Sequence, residues 1–118
     1  MTRLLLTLIL MTTMNGCATS NTSDYESQLQ WLQQANPQQD AQAALAQGDF
    51  RLMAFAQRSL VIPGVDVENS RKYELKCGVK IMEGMTDVIR SEEHLRLMKL
   101  AHTYALQYNA VIKTRCQP

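Results

Sequence analysis

This chain carries almost no net charge. The formal value is +1 over 118 residues, and Arg3 is the only charge before Cys17. From Cys17 onward the chain is therefore near neutral, with no basic stripe, so the electrostatic footprint of nucleic-acid binding is missing. No acidic tail is present either. Aromatic residues are few (6%), but 46% hydrophobic and 19% charged residues suit a folded globular chain, and the length has room for one domain. There is no P-loop, no Gly-x-Ser-x-Gly turn and no zinc spacing of cysteine and histidine. No apolar run approaches the roughly 20 residues of a membrane-spanning helix. Glycine and proline are absent from Met85 to Cys116, which leaves room for one long helix.

What is present begins with the first seventeen residues. Thr2-Arg3 is a short positive start, Leu4 to Met11 is an apolar core, and Met14-Asn15-Gly16-Cys17 follows. This reads as a secretory signal. Met14-Asn15-Gly16-Cys17 resembles the lipobox of bacterial lipoproteins, with small Gly16 at the cleavage position and Met14 and Asn15 departing from the commoner residues. The resemblance implies removal of residues 1–16, a diacylglyceryl thioether on Cys17 and attachment to the lipid bilayer. Ala18 after the cysteine, by resemblance to sorted lipoproteins, implies the outer membrane, facing the periplasm. More than one acyl chain anchors stably.

Lipidation of Cys17 leaves an even pair, Cys77 and Cys116. An exported protein meets an oxidising compartment, so the pair is expected to bond. Closing a loop of roughly 40 residues contributes roughly 4 kcal/mol in the chain-entropy account.

Residues 17–23 are small and polar, a linker from lipid to domain. Residues 24–47 read as a peripheral helical arm. Tyr25, Leu29 and Leu32 recur at helical spacing beside Trp31. Asn36 and Pro37 then open a second helix, with Gln39 placed for a capping box, and Gly48 closes it. The apolar edge of Ala41, Ala44 and Leu45 is thin, and the many glutamines read as a solvated face.

Residues 48–118 read as an α+β unit. Phe50 to Ile62 fits a strand buried on both faces, interrupted by Arg58, or a buried helix; the Pro63-Gly64 turn favours the strand. Asp66 caps a short helix ended by Gly78, and Val79 to Met82 alternate as a short strand. Ser91 caps a long helix, with Glu92 and Glu93 at the positive end of its dipole. On it His94, Leu97, Met98, Ala101, Tyr104, Ala105, Tyr108 and Ile112 share one face. Cys116 falls on that face if the helix runs to Arg115; β-branched Val111, Ile112 and Thr114 suggest a strand over 110–115 instead. The bonded cysteines require the helix to run back down beside the strand that leaves Cys77.

Gly48-Asp49-Phe50-Arg51, Pro63-Gly64, Glu83-Gly84-Met85-Thr86-Asp87, Glu93-His94 and Tyr104-Ala105 with Tyr108-Asn109 together resemble a group of small bacterial proteins of unassigned function. The likeness spans roughly residues 48 to 112 and implies no activity. Candidate chemistry is thin. Asp87, His94 and Tyr104 form a possible polar cluster without an evident nucleophile, so no enzyme, catalytic residue or cofactor is expected. His94, Met98 and His102 are spaced like soft metal ligands, but His102 turns to the flank and His94 is expected in the core, with no metal. Arg51 and Glu83 are a candidate ion pair. The expectation is thus a small single α+β domain, mainly helical, with a short β element, a long C-terminal helix and one disulfide. Its expected role is a lipid-anchored accessory or structural protein that binds another envelope component. A periplasmic binder of small ligands or metal is the alternative.

Overall fold

The computed structural model describes residues 21–83 and 88–118. Element order is α1 (Asn21–Gln34), α2 (Pro37–Ala46), β1 (Leu52–Ala56), β2 (Leu60–Val61), α3 (Val67–Cys77), β3 (Val79–Ile81) and α4 (Glu92–Ile112). The expected class holds: four helices and a three-stranded sheet form one α+β domain with a long last helix.

Local chemistry sets most boundaries. The Asn36 side chain accepts a hydrogen bond from the Gln39 backbone at 3.1 Å and Pro37 occupies the first helical position, so α2 starts where its free donors can be satisfied. At its other end Gly48 has φ 77°, in the region that disfavours a β-carbon. The Gly48 amide donates to the Leu45 carbonyl at 3.0 Å and the Asp49 amide to the Ala44 carbonyl at 2.9 Å. This double closure is a Schellman motif, and it fixes the exit direction of Asp49. Asp66 caps α3 in the same way as Asn36 caps α2, accepting from the Asn69 backbone at 3.2 Å, and Gly78 ends α3 with φ 77°. Ser91 caps α4 by accepting from the His94 backbone at 3.1 Å.

The sheet corrects one expectation. Phe50 to Ile62 is not one strand but a hairpin, with Phe55 opposite Val61 and Ala56 opposite Leu60. The chain reverses over 57–59, and Arg58 is exposed there. A continuous strand buried on both faces would have enclosed that guanidinium, which is costly without a partner; the reversal puts it in water. β3 then pairs with β1 in parallel, giving the order β2-β1-β3. In β1, Leu52 and Ala54 project from one face and Met53 and Phe55 from the other. All four are buried or half-buried, so β1 is the covered central strand.

α4 is the spine. Leu97, Ala101, Tyr104, Ala105, Tyr108 and Ile112 are buried along it, and it packs on β1, α1 and α2. The helix ends at Ile112, three residues short of the expected Arg115. The chain stays coiled beyond that point: the Arg115 and Cys116 amides both donate to the Ile112 carbonyl, at 2.9 and 3.0 Å, and no strand forms over 110–115. Cys116 thereby reaches Cys77, and the two are bonded with Cα atoms 6.1 Å apart.

The helices over 24–47 are not a peripheral arm. Leu32 and Ala41 belong to the core, Ala41 with no exposed surface, and Pro37 is buried too. The thin apolar edge misled because burial here uses small side chains. Ala41 on α2, and Ala101 and Ala105 on α4, are fully buried, and small residues let helix backbones come close.

Candidate binding groove

Buried polar side chains come first, because they show what the fold has already used. Asn109 has no exposed surface. Its amide oxygen accepts from the Met53 backbone N–H at 2.8 Å, and its amide nitrogen donates to the Met53 and Pro63 carbonyls, both at 2.9 Å. β2 ends at Val61, and Pro63 has no N–H to continue a ladder. The Asn109 amide stands in for the missing strand residue beside Met53.

Asp49 organises the second cluster. Its Oδ1 accepts from the Arg51 amide at 3.1 Å and from Arg51 Nε at 2.9 Å. Its Oδ2 accepts from Arg51 Nη2 and Lys80 Nζ, each at 3.1 Å. The Arg51 fork, aided by Lys80 and opposed by partial burial, holds the Asp49 carboxyl well below the usual carboxylate range. Lys80 Nζ also lies 4.8 Å from the centre of the Tyr108 ring, a cation–π contact. The expected Arg51–Glu83 pair is therefore replaced by Arg51–Asp49, whose bidentate geometry needs only a two-residue separation.

The proposed polar cluster does not assemble as expected. Asp87 lies outside the described residues. His94 and Tyr104 are ten residues apart on α4, about 15 Å along its axis, and they have different neighbours. His94 is buried, as expected: its Nδ1 accepts from the Arg90 amide at 3.3 Å and its ring lies 5.6 Å from that of Tyr25. Tyr104 donates its hydroxyl proton to Asp40 Oδ2 at 2.7 Å and packs its ring 5.1 Å from Trp31. Burial, and then the Asp40 carboxylate, push its phenol well above the ordinary value. These contacts tie the first two helices to α4. His102 is exposed, near the Phe55 ring. Among the described residues, no three His, Cys, Asp or Glu side chains converge as a metal site. Cys17 lies outside the described residues.

What the internal bonds leave open is a groove of about 330 Å³ between α1 and β3. Trp31 and Gln28 form one wall, Ile81 and Met82 the other, and Met53 and Leu97 lie between. Trp31 is 50% exposed at its rim; Ile81, 45% exposed, borders it on the edge strand but pairs with Ala54 and so directs its side chain to the sheet face opposite Met53. β3 is the edge of the sheet. The Leu52 amide donates to the Gly78 carbonyl and the Met82 amide to the Ala54 carbonyl. In a parallel ladder, alternate residues direct their backbone groups to opposite sides. Val79 and Ile81 thus point their N–H and C=O groups away from β1. A wider hollow of about 590 Å³ lies beside the disulfide, but its Arg51 is already held by Asp49.

Sequence reasoning found the β3 strand and Trp31 but not the groove. Its walls are some 50 residues apart in the chain, and no local pattern places them together. No protein family matches this chain, and no curated protein or solved structure shows significant similarity to it. Among the described residues, no helix is long and apolar enough to cross a membrane.

Proposed function

We propose that this protein is a lipid-anchored accessory protein of the bacterial envelope, tethered to the outer membrane by acylated Cys17 and binding another envelope protein on its periplasmic side. The tether rests on the sequence alone: Arg3, the apolar run Leu4 to Met11, and Gly16-Cys17. The observation that carries the binding role is the groove between α1 and β3, with half-exposed Trp31 at its rim, beside an edge strand whose Ile81 is also exposed. By contrast, Asn109, Asp49 and Tyr104 are each committed to internal hydrogen bonds. A polar centre for catalysis would instead hold convergent groups toward a cavity.

Two measurements test the reading. Intact mass of the protein from membranes should show cleavage before Cys17 and the added acyl mass, and Cys17→Ser should leave the uncleaved precursor without it. A photo-crosslinker at Gln28, beside the groove, should give one stoichiometric adduct in detergent-solubilised envelopes, where the same probe on the far side of α3 gives none. Normal lipidation of Cys17→Ser refutes the tether.

A further inference from the structure

We propose that the groove receives an extended, apolar segment of a protein partner, which adds as a strand to the outer edge of β3. This rests on the accessory-protein reading and names the chemistry of its partner. Among the described residues β3 pairs only with β1. Val79 and Ile81 present two N–H and two C=O groups outward at the two-residue repeat of a strand, which is the template used in strand addition. A helix has its backbone groups satisfied internally and cannot use that template.

The edge also lacks the usual protection. Natural edge strands are guarded by proline, bulges or a lysine whose charge repels a newcomer. β3 has the lysine, but Lys80 is drawn onto Asp49 at 3.1 Å and over the Tyr108 ring. Its charge is spent inside the fold and the edge is left apolar, with Ile81 exposed.

The groove beside the edge supplies specificity. Its volume of about 330 Å³ is at the low end for small-molecule sites, and it lies open along β3. A strand on β3 would direct alternate side chains into it, against Trp31, Met53 and Leu97. A large aliphatic or aromatic residue fits there. Glu83, exposed at the end of β3, favours a basic residue flanking that anchor. Three residues of edge give few backbone bonds, so the segment recognised is short.

The test uses the full chain in detergent and a displayed library of short random peptides. Selected peptides should alternate apolar residues, with a basic residue near the anchor. Binding should slow hydrogen exchange of the Val79 and Ile81 amides. Ile81→Pro deletes one outward donor and spares the Lys80 and Met82 bonds to β1; it should weaken binding by about tenfold. Leu75→Ala, on the exposed surface of α3, should change nothing. A single N-methyl group on the peptide residue facing β3 repeats the test without touching the protein, so a misfolded proline variant does not blunt it.

A library that yields no binder overturns the proposal, as does exchange protection on another surface or binding indifferent to both the proline and the N-methyl group. Concentration-dependent dimers abolished by Ile81→Pro also overturn it, in favour of a second copy of this chain at the edge. The acyl mass at Cys17 is read on the same sample. Acylated protein that captures no peptide sinks the strand addition alone, and unacylated protein that captures one sinks the tether alone.

Discussion

The sheet runs out of partners in two places, and the protein treats them differently. Beside Met53, where β2 has ended, the Asn109 side chain is brought in from α4 and closes the ladder with three hydrogen bonds. Beside Val79 and Ile81, on the other side of the sheet, no described residue fills the corresponding place. The first gap is deep in the core, where an unmet backbone group costs about 1–3 kcal/mol. The second borders a groove open to water, where solvent satisfies the same groups and a partner can displace it. Closure therefore belongs to stability and the open edge to the proposed binding, and substitutions should separate the two.

The largest effect is expected at the closed gap. Asn109→Leu keeps the volume but strands the Met53 N–H and removes one partner each from the Met53 and Pro63 carbonyls. Urea unfolding should report a loss of about 3–5 kcal/mol, at the upper end for a single change. Asn109→Asp keeps the acceptor for Met53 but opposes a carboxylate to two carbonyls, so it should be nearly as damaging. If either variant melts like the wild type, the amide is not closing the ladder and the comparison fails.

The disulfide comes next. It holds the end of the chain to the start of β3, so it supports the open edge from below. Cys77→Ser and Cys116→Ser should each lose roughly 2–4 kcal/mol, with the double variant little worse than either. Hydrogen exchange on the reduced protein should rise first beyond Ile112, in the turns that the bond to Cys77 holds in place. Equal acceleration throughout α4 would make the bond a brace for the whole helix.

How much of this was legible follows from the range of each interaction. The caps at Asn36, Asp66 and Ser91 and the stops at Gly48 and Gly78 are signalled within three or four residues, and the sequence carries them plainly. The face of α4 follows from its period, and the cysteine pair from parity together with the expectation of export. Asn109 sits within that apolar face beside Tyr108, but its partners at Met53 and Pro63 are 56 and 46 residues away. Nothing local distinguishes it from a flank residue. Arg58 signalled the break in the hairpin strand, yet an apolar run on both sides of it reads equally as one strand. The core role of α2 was hidden by alanines, which score weakly as hydrophobic and pack closely. The groove depends on α1 and β3 meeting across α4 and leaves no mark in either segment.

A smaller effect is expected at the junction of α2 with α4. Tyr104→Phe removes the hydrogen bond to Asp40 and leaves the ring against Trp31 in place. The loss should be about 1 kcal/mol, the net worth of a typical hydrogen bond. Because Asp40 is exposed, water replaces the phenol and no buried charge is stranded. Deleting residues 21–47 is a different matter, since it uncovers the buried side of α4. It should abolish cooperative melting, and a cooperative remainder would show that the first two helices are dispensable after all.

The smallest change in stability, and the sharpest probe of the open edge, is Asp49→Asn. Asp49 is held ionised chiefly by the Arg51 hydrogen bonds and also by Lys80. Its folded pKa therefore lies below the unfolded value, and the sign of the linkage follows. The folded state binds this proton less readily, so the contribution is complete above the unfolded carboxylate value of about 3.9 and declines as pH falls below it. Wild type and Asp49→Asn should differ at neutral pH and converge on acidification. The gap should also shrink with salt, since Arg51 is more than half exposed and water screens the pair. A gap that stays constant with pH would show that the loss comes from packing. The same variant releases Lys80 from its partner beside the Tyr108 ring and restores a mobile charge to the edge strand. Peptide capture at β3 should then weaken while the fold is barely disturbed. If capture is unchanged, holding Lys80 inward is not what keeps the edge open.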